Sequence, residues 1–242
     1  KNTTYPFILQ LIISIVVTGL LFFFLKDTEE DEEETKSKRL SDLKGLNPFS
    51  TFKYIKELDS SSKFFVLIIF MSGIGIFSYN SSIIYFLKFY KNVSSNTIGT
   101  FTMLSSLLAF LGTSFLLKWM LKKHKEISIY RVFVTLGILI MILSLVILEK
   151  GLIPYVLFSI YTMSYEIVRT LGNSILANRF KRDQGKILGI ATGMGSLGMA
   201  VGSLISGYLL AMDSYLPFIV NIVMMSLVIG LLIYNNFINT KK

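Results

Sequence analysis

Apolar residues along this chain fall into seven long runs, parted by short polar breaks and one long charged stretch. The runs cover residues 6–25, 64–87, 98–121, 127–148, 152–177, 187–212 and 215–234. Each reaches the ~20 residues that an α-helix needs to cross the ~30 Å hydrocarbon core of a bilayer. The pattern predicts an all-α membrane protein with seven transmembrane helices. An odd number of crossings puts the two ends of the chain on opposite sides of the membrane.

The breaks set the organisation. Residues 26–63 are the one extended polar stretch, with six consecutive acids at 29–34 followed by Lys36, Lys38 and Arg39. Like charges at that density repel one another and predict a linker without regular structure. Within it, Asn47 as N-cap and Pro48 at the first helical position predict a short helix through Leu58. Phe49, Phe52 and Ile55 share one face of that helix, which suits the membrane surface. The other connections are short, with a tight turn at Glu149-Lys150-Gly151. Short connections make successive helices antiparallel neighbours. The expected parts are a lone helix at 1–25, a cytoplasmic charged linker at 26–63, a six-helix bundle at 64–235 and a tail at 236–242.

Composition agrees and narrows the function. The 242 residues are 52% hydrophobic and only 16% charged, which excludes an ordinary soluble domain. A net charge of +9 would suit nucleic acid if it formed one patch, but it is distributed among the breaks. Eighteen of the 24 Lys and Arg residues lie at 26–63, 118–125, 179–186 and 241–242, all on one side of the predicted membrane. Only Lys1, Lys88, Lys91 and Lys150 lie on the other side. The bias predicts a cytoplasmic linker and C-terminus, with residue 1 on the outer or lumenal side, and no nucleic-acid partner. The sequons at Asn2 and Asn92 both fall on that outer face and are candidate glycosylation sites. The chain has no cysteine and one histidine, His124, so neither a cofactor nor a metal is expected. No nucleophile–base set or phosphate loop occurs, and no enzymatic activity is expected.

Small residues concentrate in 185–207, where Gly185, Gly189 and Gly193 recur at four-residue steps. Gly198 and Gly202 form a second pair continued by Ser206. Such ladders let helix backbones approach closely in lipid, where apolar contact alone drives little association. Two ladders predict two packing neighbours.

With these features the chain resembles the major facilitator superfamily of transporters. Tyr5-Pro6-Phe7 and Leu216-Pro217-Phe218 are similar to the paired entries of that family's sixth and twelfth helices. The Gly/Ser-rich segment from Gln184-Gly185-Lys186 to Gly207 is similar to its eleventh helix, most of all in the drug/proton-antiporter-like and related solute-carrier branches. The basic loop at Lys118, Lys122, Lys123 and Lys125 stands where the family repeats a basic motif, although its Gly-Asp-Arg-Gly-Arg elements are missing. The resemblance implies helices six to twelve of a twelve-helix carrier. The chain, which begins at Lys1, would then be a fragment, a processed product or an incomplete sequence. The missing N-terminal six-helix half would be its partner, and secondary transport of a small solute, with or without protons, its function. The alternative is a structural subunit that transports nothing and serves a larger assembly. A seven-helix receptor ranks last, since the long loop follows the first span rather than the fifth.

Candidate chemistry lies in two helices. Glu166 and Arg169 are the two ionisable groups deep within a span, and an unpaired charge there costs ~3 kcal/mol on insertion scales. Their spacing places them within reach of each other. Tyr161, Tyr165, Arg169 and Asn173 follow at four-residue steps as a polar stripe. One reading makes the stripe a cavity wall with Glu166 as the protonatable coupling group and Arg169 as an anion contact. The other makes Glu166 and Arg169 a structural ion pair. In 64–87, Gly73 and Gly75 precede the polar run 78–82, which predicts an interrupted helix with Tyr79 and Asn80 as solute contacts. A kinked helix near its outer end, or a cluster of interhelical hydrogen bonds, is the alternative there. Asn221 is expected to bridge helices.

Overall fold

The apolar runs fold into helices in the computed structural model, which describes residues 5–24, 58, 60–149, 151–179 and 184–240. The chain divides into two units, Lys1–Asn47 and Pro48–Lys242. In the first, helix α1 (Tyr5–Phe24) is mostly apolar, with Gln10, Ser14 and Thr18 as its polar side chains, and its described side chains are almost all exposed. The acidic block, the predicted surface helix with Phe49, Phe52 and Ile55, and Asn2 lie outside the described residues.

Among its described residues the second unit holds six long helices: α2 (Ser60–Tyr85), α3 (Ser95–Leu111), α4 (Glu126–Val146), α5 (Ile153–Arg179), α6 (Gln184–Met212) and α7 (Leu216–Thr240). A π-helical turn, Gly112–Leu116, carries α3 into a last α-helical stretch, Leu117–Leu121. Among the described residues the count of seven long helices thus matches the seven apolar runs. Six of them are long and apolar enough to cross a membrane. The remaining one, α5, has 27 residues and is long enough, but its polar positions lower its apolarity. Its neighbours offset that, since α5 packs against α2, α3, α4 and α6.

Local chemistry sets the helix ends. Ser94 is extended and its Oγ accepts from the Thr97 amide at 3.2 Å, so α3 starts at Ser95 with one otherwise unpaired N–H satisfied. The α4–α5 turn depends on Gly151, whose φ of +60° is cheap only without a Cβ. Between α6 and α7, Asp213 Oδ1 accepts from the Tyr215 amide at 2.7 Å.

The closest helix pair is α2 on α6. A Cβ at Gly202 would stand 2.5 Å from the Ile74 carbonyl oxygen, and one at Gly198 would run into the Phe70 carbonyl. These two glycines let the backbones touch. Gly189 and Gly193 face open space instead, so the ladder they form meets no neighbour among the described residues. The side chain position of Gly185 lies outside them.

The polar run 78–82 does not interrupt α2, contrary to the expectation of a broken helix. Its hydroxyls have partners on other helices. Ser78 Oγ donates to the Pro217 carbonyl at 2.9 Å, Ser81 Oγ pairs with Ser203 Oγ at 2.8 Å, and Ser82 Oγ pairs with Ser206 Oγ at 2.6 Å. With every hydroxyl satisfied across the interface, the backbone keeps its own hydrogen bonds. Each such pair contributes about 0.6 kcal/mol. The helix changes only later, at a π-helical turn, Phe86–Tyr90. Asn92 follows, exposed and at φ 53°.

One ion pair ties the α2–α3 connection to the α4–α5 turn, with Lys91 Nζ 2.8 Å from Glu149 Oε1. The Lys91 hydrogen bond and charge hold the Glu149 carboxyl below the usual carboxylate range. The hydrogen bond to Glu149 raises Lys91 above the usual lysine range. The stabilisation therefore exists around neutral pH. It fades as pH falls through the lowered Glu149 value and as pH rises through the raised Lys91 value. Because Glu149 is solvated, Glu149→Gln is expected to lower the unfolding temperature only slightly at neutral pH. In acid below the carboxylate range it should change nothing. A persistent acid effect would mean that Glu149 acts through something other than Lys91.

Candidate functional site

Helix α5 carries two kinds of polar surface. Toward the core, Tyr161 and Tyr165 are buried with Phe158. Tyr79 from α2 lies edge-on to Tyr161 at 4.7 Å between ring centroids, and Phe218 from α7 closes on Phe86 at 4.9 Å. The hydroxyls of this aromatic cluster are used internally. Tyr165 Oη donates to Asn80 Oδ1 at 3.0 Å. Tyr79 Oη donates to the Phe158 carbonyl at 3.4 Å and lies 3.5 Å from Thr162 Oγ1. Asn221 bridges helices as expected, its Nδ2 donating to the Gly75 carbonyl at 2.8 Å and to Tyr161 Oη at 2.5 Å. The cluster packs the bundle near the α2–α3, α4–α5 and α6–α7 connections.

The opposite half is open. A cavity of about 390 Å³ lies among α2, α4, α5 and α6. Its polar lining is Ser72, Tyr130, Arg169, Thr170, Asn173 and Thr192. Ile69, Ile76, Phe77 and Met199 supply apolar wall, and Gly73, Gly172 and Gly195 let the helices frame it. At the contact of α2 with α6, a Cβ on Gly73 would stand 2.9 Å from the Gly195 carbonyl oxygen. The volume falls within the range of small-molecule sites.

Arg169 and Glu166 pair at 2.8 Å between Nη2 and Oε2, with Arg169 half exposed (51%) and Glu166 less so (22%). Arg169 lines the cavity and Glu166 does not. The four-residue stripe is therefore divided by the structure. Arg169 and Asn173 reach the cavity, while Tyr161 and Tyr165 face the core beside Tyr79 and Asn80. The helix geometry accounts for the division. Each four-residue step turns about 40° around an α-helix, so the stripe rotates by about 120° from Tyr161 to Asn173.

The lining includes residues not singled out from sequence: Ser72, Tyr130, Thr170 and Thr192. Ser72 Oγ and Tyr130 Oη lie 3.2 Å apart across the α2–α4 contact. Ser72 directly precedes Gly73-Ile74-Gly75, and Thr192 sits within the glycine-rich stretch of α6. Those glycines are the signal that could have pointed to both. Tyr130, near the start of α4, carries no such signal. At the same end, Glu126 Oε1 accepts from Ser174 Oγ at 3.0 Å and from Asn178 Nδ2 at 2.8 Å, joining α4 to α5.

Comparison with known proteins accords with this architecture. The family model described as Major Facilitator Superfamily matches residues 2–182. Comparison with curated proteins finds no match. The family match spans most of the chain, and six of the described helices are long and apolar enough to cross a bilayer. The chain belongs to the major facilitator superfamily and is an integral, multi-pass membrane protein of that transporter type.

Proposed function

We propose that this protein performs secondary active transport of a small solute by alternating access, with the cavity among α2, α4, α5 and α6 as its half of the solute site. The observation that carries the reading is the placement of Arg169. It is a charged side chain within a membrane-spanning helix, and it lines a cavity of about 390 Å³ while ion-paired to Glu166. Charges at membrane depth are costly and mark pathways for solutes and ions. In this reading α1 is the sixth helix of a twelve-helix carrier and α2–α7 are the seventh to twelfth. The charge bias supports a cytoplasmic position for the linker and C-terminus, so the cavity opens toward the cytoplasm and the aromatic cluster closes the outer half.

Glu166 is the proton-coupling group in this scheme. When Arg169 turns to the solute, the Glu166 carboxylate gives up its partner, which links the two binding events. In proteoliposomes of the full-length protein, Glu166→Gln is expected to abolish solute accumulation driven by a pH gradient and to leave solute exchange partly intact. Gradient-driven accumulation at the wild-type rate would remove Glu166 from the coupling role. Absence of any uptake by the wild-type protein would overturn transport itself.

A further inference from the structure

We propose that the cavity selects a small organic anion, with the solute's carboxylate held by the guanidinium of Arg169 and its body against the apolar wall. This rests on the cavity being the solute site and adds the chemical class. The first argument is the sign of the lining. Among the described residues that line it, Arg169 carries the one formal charge and none is a carboxylate. The other described acids of the bundle are held elsewhere, Glu126 by Ser174 and Asn178, Glu149 by Lys91 and Asp213 by the Tyr215 amide.

The second argument is the spare capacity of Arg169. A guanidinium offers five N–H donors in a planar fork. Glu166 meets it at Nη2, 2.8 Å from Oε2, and no hydrogen bond from its other N–H groups occurs among the described residues. An incoming carboxylate thus finds donors free on the half-exposed side and can bind them in two-point fashion.

The third argument concerns Ser72 and Tyr130. Both are buried (6% and 3% exposed) and line the cavity. Two hydroxyls sharing one hydrogen bond leave one O–H proton to donate. That proton and the Arg169 fork make the lining rich in donors, which suits acceptor groups on the solute. A cationic solute would meet Arg169 with no carboxylate among the described lining residues to hold it, and like charges repel. Ile69, Ile76, Phe77 and Met199 suit a flat or branched hydrocarbon body, and the volume suits a single-ring or shorter solute.

The test uses three probes of nearly one shape, benzoate, benzamide and benzylamine, titrated calorimetrically into the full-length protein in detergent. Benzoate is expected to bind at least about tenfold more tightly than either of the others, as a charge-assisted hydrogen-bond pair allows. Glu166→Gln frees the last Arg169 donors and should tighten benzoate binding without changing that of benzamide. The double variant Glu166→Gln/Arg169→Gln keeps the helix neutral and therefore insertable, and should bring benzoate down to the benzamide level. Equal binding of the three probes, binding of none, a preference for benzylamine, or a benzoate preference surviving in the double variant would each overturn the proposal. Uptake in proteoliposomes reads the transport function separately. Solute accumulation without an anion preference sinks only the anion class, and anion binding without any uptake sinks only transport.

Discussion

Gly198→Val is expected to destabilise the bundle by about 3 kcal/mol or more, the upper end of overpacking effects. Even the first carbon of a side chain at Gly198 collides with the Phe70 carbonyl, and its next neighbours are Phe70 C at 3.2 Å and Gly73 Cα at 3.3 Å. Those atoms are backbone, so no side chain can rotate aside. Helices α2 and α6 must separate, and separation also breaks the Ser81–Ser203 and Ser82–Ser206 hydrogen bonds one and two turns further along. The loss of several contacts at once makes this effect larger than any single hydroxyl deletion. Thermal unfolding of the purified protein in detergent measures it. Gly207→Ala in the same helix is the control, because a Cβ there meets nothing within 4 Å, and it should be neutral or slightly stabilising through helix propensity. Equal stability of the two variants would mean that α2 and α6 do not touch at Gly198.

The second large effect belongs to Phe218→Ala, with an expected cost of about 3 kcal/mol. Phe218 is fully buried, with its ring 4.9 Å from Phe86, 6.1 Å from Tyr79 and 6.2 Å from Phe158. In a bilayer the transfer of apolar surface from water contributes little, because lipid is as apolar as the core. What remains is the loss of close contacts around a cavity that three helices cannot collapse to fill. Phe218→Leu should recover much of the stability, since it restores most of the volume. If Phe218→Ala unfolds within a degree or two of the wild type, the aromatic cluster does not close this end of the bundle.

Pro217-Phe218 also shows how far the sequence could be read. The pair stands out as a helix entry, and its physical meaning comes from the packing. The Pro217 carbonyl accepts from Ser78, and Phe218 fills the space among α2, α5 and α7. The run 78–82 was misleading for a related reason. Five polar or aromatic residues in an apolar run predict a break when their partners are unknown. Ser203, Ser206 and Pro217 lie more than a hundred positions away in sequence, and nothing local announces them. Glu166 and Arg169 were legible as a pair because three residues along a helix fixes their proximity. That only Arg169 lines the cavity was not legible, because it depends on the rotation of α5 against α2, α4 and α6.

The sequence by itself determined the order and approximate limits of the seven described helices, the tight turn at Gly151 and the family. The reason is that bilayer thickness, apolar content and backbone conformation act on each segment locally. Only the tertiary structure decided which ladder of glycines finds a neighbour, whether the serines break α2 or bind it to α6, and where the polar stripe of α5 leaves the core for the cavity. Those outcomes depend on which faces meet, and the facing residues come from segments far apart along the chain.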